Sequence, residues 1–312
     1  MFYYLSFYDM ISKNIISRGR CKVHKFLRAI GFSDIRKKDI EMIIDEIIEH
    51  PEVMKVTRDS EGNEFAELSR MLGTNIGLMV RGSYDEEDVF QMDYYYPFVL
   101  PDTVSTQEQI DIEKHAEKES YAGVCDEMRL GVTLIFYLQN VADFLSEYRN
   151  NIHVKNLHGA MLSALSVDGK IILPIQQRVL EKQSANSRKD KRNRLMAEAR
   201  EGNEEAIESL TLEDMDTYSM LSKRIVREDV FSIVHSSFMP YGIESDQYSV
   251  LGEIIDLEVV RNSLTNEKIY SIKVECNDII FNIAINEKDL LGEPAVGRRF
   301  KGSVWMQGTV CL

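Results

Sequence analysis

Along this chain the spacing of apolar residues changes from helical to strand-like and back. HKFLRAIGF, from His24, predicts a short helix stopped by Gly31. Ile40, Ile43, Ile44, Ile47 and Ile48 then recur at i, i+3, i+4, i+7 and i+8, the apolar stripe of a second helix that His50-Pro51 ends. After that the period is two. Ile76, Leu78 and Val80 alternate with Gly77, Met79 and Arg81. Phe90, Met92, Tyr94, Tyr96 and Phe98 alternate with Gln91, Asp93 and Tyr95, and the charged SYDEED lies between the two runs, so they predict a hairpin with one buried face. Past Cys125, the residues Met128, Leu130, Val132, Leu134, Phe136 and Leu138 share a face. A helix through Val141, Ala142, Leu145 and Tyr148 follows. Asp168-Gly169 then has the signature of a two-residue turn between GAMLSALSV and KIILPI.

From about Gln176 to Glu201 the apolar face is lost, and QSANSRKDKRNR is polar and basic, a linker or solvated helix. NEEAIESLTLEDMDTYSMLSKRI is helical in pattern, with Thr211 as N-cap and Asp214 three residues on. From Ser249 there are four strand-like runs, with VRNSLTNEK and Asn277-Asp278 at turns and glycines at bends. Short strands of this kind predict a small barrel, OB-like or SH3-like. No internal repeat between the halves is evident. The expected architecture is α+β: an antiparallel sheet with flanking helices over 23–176, a basic helical linker over 177–246, and a small C-terminal β-barrel over 247–312.

Charge sharpens this division. The 312 residues carry a formal net charge of -14, with 44% hydrophobic and 28% charged residues. Between Tyr84 and Glu127, 13 carboxylates face only Lys114 and Lys118, a net of -11, whereas Arg178 to Arg200 has a net of +5. An acidic balance disfavours general nucleic-acid binding, because phosphates are repelled. Cys21, Cys125, Cys276 and Cys311 include no close pair, which excludes a secreted disulfide framework and points to a reducing cytoplasm. No apolar run approaches the ~20 residues a membrane helix needs, so no membrane partner is expected.

The opening MFYYLSFYDMISKNIISRGRCK has its positive charges after the apolar part, the reverse of a secretory signal. An amphipathic anchor is one reading of it. The preferred one is that residues 1–22 are translated leader: Arg18-Gly19-Arg20 can be written in purine-rich codons resembling a ribosome-binding site, and Val23 as a GTG start.

The candidate chemistry begins with HAEKESYAGVC, His115 to Cys125, because His-x-Glu followed by cysteine opens a zinc-deaminase site. That site also needs Pro-Cys-x-x-Cys, and no two cysteines here are separated by two residues. His115, Glu117, Glu119, Cys125 and Asp126 remain as candidate ligands or catalytic groups of some other metal site. Against that stands a plain solvated segment, with Cys125 as a small buried apolar residue. LGEPAVGRRFKG spaces Gly292 and Gly297 as a P-loop does, but Arg298 and Arg299 replace the Lys and Ser/Thr, and a strand follows rather than a helix. His158 and Ser163, an odd number of residues apart on one strand, point to opposite faces and make no hydrolytic pair. Tyr95 is expected to face outward. Phe281, Phe300 and Trp305 are either interior or a base-stacking platform, and Arg298, Arg299, Lys301 and Trp305 form a candidate binding surface.

The segments KFLRAIGFSDI, HAEKESYAGVCDEMRLGVTLIFYLQN, ESLTLEDMDTYSMLSKRI, SFMPYGIESDQYSVLGEI and DLLGEPAVGRRFKGSVWMQG together resemble an uncharacterised bacterial family, domain of unknown function 3881. The resemblance runs from Val23 to the C-terminus. It implies a cytoplasmic protein of Gram-positive gut-type bacteria, with methionine directly before HKF-like residues in members, and it supplies no catalytic residue. The expected function is a non-catalytic binding or regulatory protein with a protein partner and no cofactor. The alternatives are a nucleic-acid-binding protein using barrel and linker, and a metal-dependent enzyme with its site in 84–127.

Overall fold

The computed structural model describes residues 22–59, 61–114, 120–150, 157–174, 191–192, 194–199, 202–225, 234–242 and 245–312. Residues 1–21 of the proposed leader 1–22, the candidates His115, Glu117 and Glu119, and most of the basic stretch after Gln176 lie outside the described residues. The chain divides into two units: one combines the segment up to Ile172 with Ser236–Leu312, and the other is Leu173–His235.

In the first unit HKFLRAIGF forms a 3-10 helix, Lys25–Ile30, ended by Gly31. Helix α1, Lys37–Glu49, buries Ile40, Ile44 and Ile47. The antiparallel sheet beside it has the order β1 (Val53–Arg58), β2 (Glu64–Gly73), β3 (Ile76–Tyr84), β4 (Phe90–Val99). The α1 isoleucines pack with Ala66, Leu68, Leu78 and Val80 of that sheet, in a core that also takes Leu165, Ala284 and Trp305 from the larger sheet. The β3–β4 hairpin is therefore covered on both faces rather than one. Tyr95, expected outside, is buried, and its hydroxyl donates to the Lys22 carbonyl at 2.6 Å and accepts from His24 N–H at 3.1 Å.

The larger, mixed sheet contains β5 (Val104–Lys114), β6 (Tyr121–Glu127), β7 (Val132–Leu138), β8 (Leu157–Ile172), β9 (Ser237–Pro240), β10 (Gln247–Arg261), β11 (Lys268–Cys276), β12 (Ile279–Asn286), β13 (Leu290–Leu291) and β14 (Arg299–Val310). Helix α2, Val141–Asn150, follows β7 as expected and packs on β1 and β2. The apolar run from Met128 to Leu138 is not one strand: Met128 to Gly131 turn, and β7 begins at Val132.

Two expectations are corrected here. Asp168-Gly169 makes no hairpin, because β8 runs straight through it from Leu157 to Ile172. The register against β14 shifts there instead, and a Cβ on Gly169 would lie 2.7 Å from both Ile285 and Phe300. Glycine is needed for close approach, not for a turn. Nor do the C-terminal runs close on themselves. β10, β11, β12 and β14 form where the pattern places them, with Asn277-Asp278 at positive φ in the β11–β12 turn. The gap between β12 and β14 is filled by β8, which pairs parallel with β12 and antiparallel with β14. Residues 247–312 thus share one sheet with β5–β8.

The pairings close two five-strand rings that share the β8/β14 ribbon. One runs β10-β11-β12-β8-β14 and back to β10; the other runs β5-β6-β7-β14-β8 and back to β5. Each is an antiparallel three-strand meander whose third strand pairs in parallel with the last strand of the other half. The registers agree in detail. Cys125 faces Leu134 across β6–β7, and Cys276 faces Ile279 across β11–β12; two residues on come Phe136 and Phe281, and two further Leu138 and Ile283, which meet Gly308 of β14 and Ala164 of β8. No sequence repeat announced this. What the halves share is pairing and a few apolar positions, and many sequences satisfy both.

In the second unit the helix over ESLTLEDMDTYSMLSKRI is α3, Glu204–Ile225. Its cap is Asn203, whose Oδ1 accepts from Glu205 and Ala206 N–H; Thr211, expected as N-cap, sits inside the helix and donates to the Ile207 carbonyl.

Candidate functional site

Of the described candidates, few are available to a ligand. Cys125 is buried, and burial, with Glu127 and Glu108 nearby, pushes its thiol up to about 12. It therefore stays protonated and is neither nucleophile nor thiolate ligand at neutral pH. Asp126 is exposed and accepts from Thr133 Oγ1 at 2.8 Å. Among the described residues no three His, Cys, Asp or Glu side chains gather as a metal site. Ser163 is buried and donates to the Val99 carbonyl at 2.6 Å, while His158 is exposed. Phe281, Phe300 and Trp305 are all buried. Trp305 stacks on Phe26 with ring centroids 5.3 Å apart, and its Nε1 donates to Asp246 at 2.7 Å. Arg299 is also buried, leaving Arg298 and Lys301 as the partly exposed members of the predicted basic surface.

The fold instead assembles three ionic clusters that sequence reasoning missed. In the deepest, the Arg81 and Glu67 side chains are 0% and 2% exposed and meet at 2.6 Å. Arg81 also donates to the Leu138 and Gln139 carbonyls and to the hydroxyls of Tyr94 and Tyr137, and its guanidinium lies 4.9 Å from the Tyr96 ring centre. Burial by itself lowers its pKa, but Tyr94, Tyr96, Glu67 and Tyr137 outweigh that and hold it cationic. Burial also raises the Glu67 carboxyl, against the pull of Arg81. An aromatic box of this type suits an organic cation, and here the chain fills it with its own arginine. Beside it Gln139, Ser163 and Gln307 donate to the Val99 and Pro97 carbonyls on the free edge of β4. The signal was present in the sequence: Arg81 continues the Ile76–Val80 strand, and Glu67 stands opposite it in β2.

In the second cluster Glu127 is buried and takes both arms of Arg129, at 2.9 and 2.7 Å, and the Thr106 hydroxyl. Burial alone would raise its carboxyl; Arg129 and Thr106 hold it low. Arg129 reaches on to the carbonyls of Asp278 and Ser105, tying the β6–β7 turn to the β11–β12 turn. In the third, Ser33 Oγ lies 2.5 Å from Glu267 and 2.8 Å from Lys288 Nζ, in outline a hydrolytic trio. Its chemistry runs the wrong way, since hydrogen bonding to Glu267 raises the Lys288 ammonium and prevents it acting as a base. The cluster fastens the segment after the 3-10 helix to the β11–β12 hairpin.

What stands free is the loop Leu291–Arg298, the segment that resembled a P-loop. Gly292 and Gly297 have φ of +92° and +84°, so they are bends. Gly297 N–H donates to the Ile254 carbonyl, Ile254 N–H to the Arg298 carbonyl, and Arg298 Nη1 to the Glu293 carbonyl. Ala295 is buried. From this pinned loop Leu291 and Val296 stand 75% and 64% exposed.

Two searches with the whole chain found nothing: no curated protein and no solved structure matches it. A family model, described as "Domain of unknown function, E. rectale Gene description (DUF3881)", matches residues 27–308.

Proposed function

We propose that this chain, which belongs to the DUF3881 family, is a cytoplasmic protein that acts by binding another protein, with the Leu291–Arg298 loop as its contact. The observation that carries this is the loop itself. Isolated exposed apolar residues are ordinary, but two of the most exposed lie within one short loop whose backbone is already fixed. A preorganised loop loses little freedom on binding, so more of its apolar burial appears as affinity. The buried ionic groups are engaged in holding segments together, which leaves recognition to surface loops and edges. We take the ring of β8, β10, β11, β12 and β14 to be a small barrel of the OB-like or SH3-like kind, with this loop at its rim. The nucleic-acid reading loses its stacking platform to the burial of Phe281, Phe300 and Trp305.

The test compares tagged full chain with a Leu291→Asp, Val296→Asp variant in native cells. A stoichiometric protein partner present with the first and lost with the second, at unchanged melting temperature, is the expected result. Partners retained by both would reject the loop. Submicromolar binding of single-stranded nucleic acid at physiological salt, lost on Arg298→Glu, would favour the rival.

A further inference from the structure

The four-stranded sheet has two outer strands, and the fold treats them differently. On β4 the free carbonyls of Pro97 and Val99 are capped by Gln307, Ser163 and Gln139. On β1, among the described residues, every ladder partner lies in β2 and the other edge has none. α1 packs on β2 and β3, and β1 is met by α2 on the face of Lys55 and Thr57. Val53, Met54 and Val56 are 48%, 47% and 48% exposed, three large apolar side chains in a six-residue edge strand. Open apolar edges invite pairing with another strand, and proteins ordinarily protect them.

We infer that β1 is a homodimer interface, pairing antiparallel with β1 of a second copy about a two-fold axis through Val56. The strand is self-complementary in that register. Val56 meets Val56 of the second copy, Lys55 meets Thr57, and Met54 meets the aliphatic stem of Arg58, so no like charges stand opposite one another. One face carries Met54, Val56 and Arg58 of β1 and Glu52 just before it, all exposed. Across the axis Glu52, whose Oε2 also accepts from Met71 N–H at 2.8 Å, is then diagonal to Arg58 of the other copy, within reach for opposite charges. Lys55, on the other face, is already paired with Asp143 of α2 at 2.7 Å and brings no free charge to the contact. Two-fold pairing of one strand with itself is the simplest closed way to remove an open edge, and it joins the two sheets into one of eight strands.

The register makes the test specific. Paired Cβ atoms across antiparallel strands are about 5 Å apart, near disulfide range. Val56→Cys in the full chain should therefore oxidise to a covalent dimer. Val53→Cys should not, because the two copies of residue 53 are about 20 Å apart in that register. By sedimentation equilibrium the unaltered chain should be a dimer. Val56→Lys, which sets two lysines face to face, should weaken it about tenfold or more. Arg58→Glu should weaken it as well, and Glu52→Arg combined with Arg58→Glu should recover it. Val56 and Arg58 are exposed, so the melting temperature of the monomer should hold in the variants at those two positions. A chain that is monomeric at about 100 μM, a dimer indifferent to Val56→Lys, or equal crosslinking through residues 53 and 56 would each overturn the inference.

Discussion

Around the β8/β14 ribbon the same meander is built twice, and the two copies are dressed differently. In the β5–β7 copy, the end of β7 is held by Arg81 through the Leu138 and Gln139 carbonyls, and the β6–β7 turn is closed by Glu127 and Arg129. In the β10–β12 copy, the 3-10 helix lies against β12 and β8, and Asn277-Asp278 turns in two residues. The shared part is apolar and hidden: Cys125 and Cys276, Phe136 and Phe281. The differing part is polar and specific. Pairing and burial are met by a common frame, then, while individuality lies in what is attached to it.

The strongest way to break this equivalence is to truncate its matching residues. Phe136→Ala and Phe281→Ala each remove a fully buried ring and should each cost about 3–5 kcal/mol in denaturant unfolding. If the rings are mechanically alike, the two losses agree to about 1 kcal/mol. A gap of more than about 2 kcal/mol would mean that one ring carries the fold and the other only completes it.

A smaller and more local effect is expected at the polar attachment. Arg81→Leu leaves Glu67 buried without its cation, a change of about 3 kcal/mol once the carboxyl takes up a proton. Because Arg81 joins β3 to the end of β7, hydrogen exchange should accelerate in β2–β4 first. Protection in β10–β12 should hold. Equal loss in both halves would show that the seam supports the whole unit.

How much of this was legible follows from the same contrast. Period alone found α1, β3, β4, β10, β11 and β12, since each has to bury a face, and the family resemblance was visible in long continuous segments. Period does not say which strand lies beside which. The ring needs β8, which ends 75 residues before β10 begins, and nothing local in SALSVDGKII marks it as the partner of β12. Asp168-Gly169 was misplaced as a turn because glycine serves close approach and turning equally well. Arg299 looked like surface, and Trp305 stood open between core and surface, because isolated letters carry no burial. Arg81 was in view, inside an apolar strand, and its meaning depended on Glu67, a charge in another strand.

The subtlest expected difference concerns the covering of the β10–β12 ring. His24 lies 5.1 Å from the Trp305 ring and 6.0 Å from Phe26, and its Nδ1 accepts from Phe26 N–H. Burial lowers its pKa from 6.5 to about 4. The neutral ring is thus the folded form, so its contribution is complete above pH 6.5 and is lost as pH falls toward 4. By pH 5 the loss should reach about 2 kcal/mol. Many carboxylates titrate lower in the same range, so the informative quantity is the difference between the native chain and His24→Phe, which keeps the aromatic packing and cannot charge. Measured by urea unfolding at pH 7.5 and pH 5, the native chain should lose more stability than the variant. Parallel losses would place the acid sensitivity elsewhere and leave His24 as packing alone.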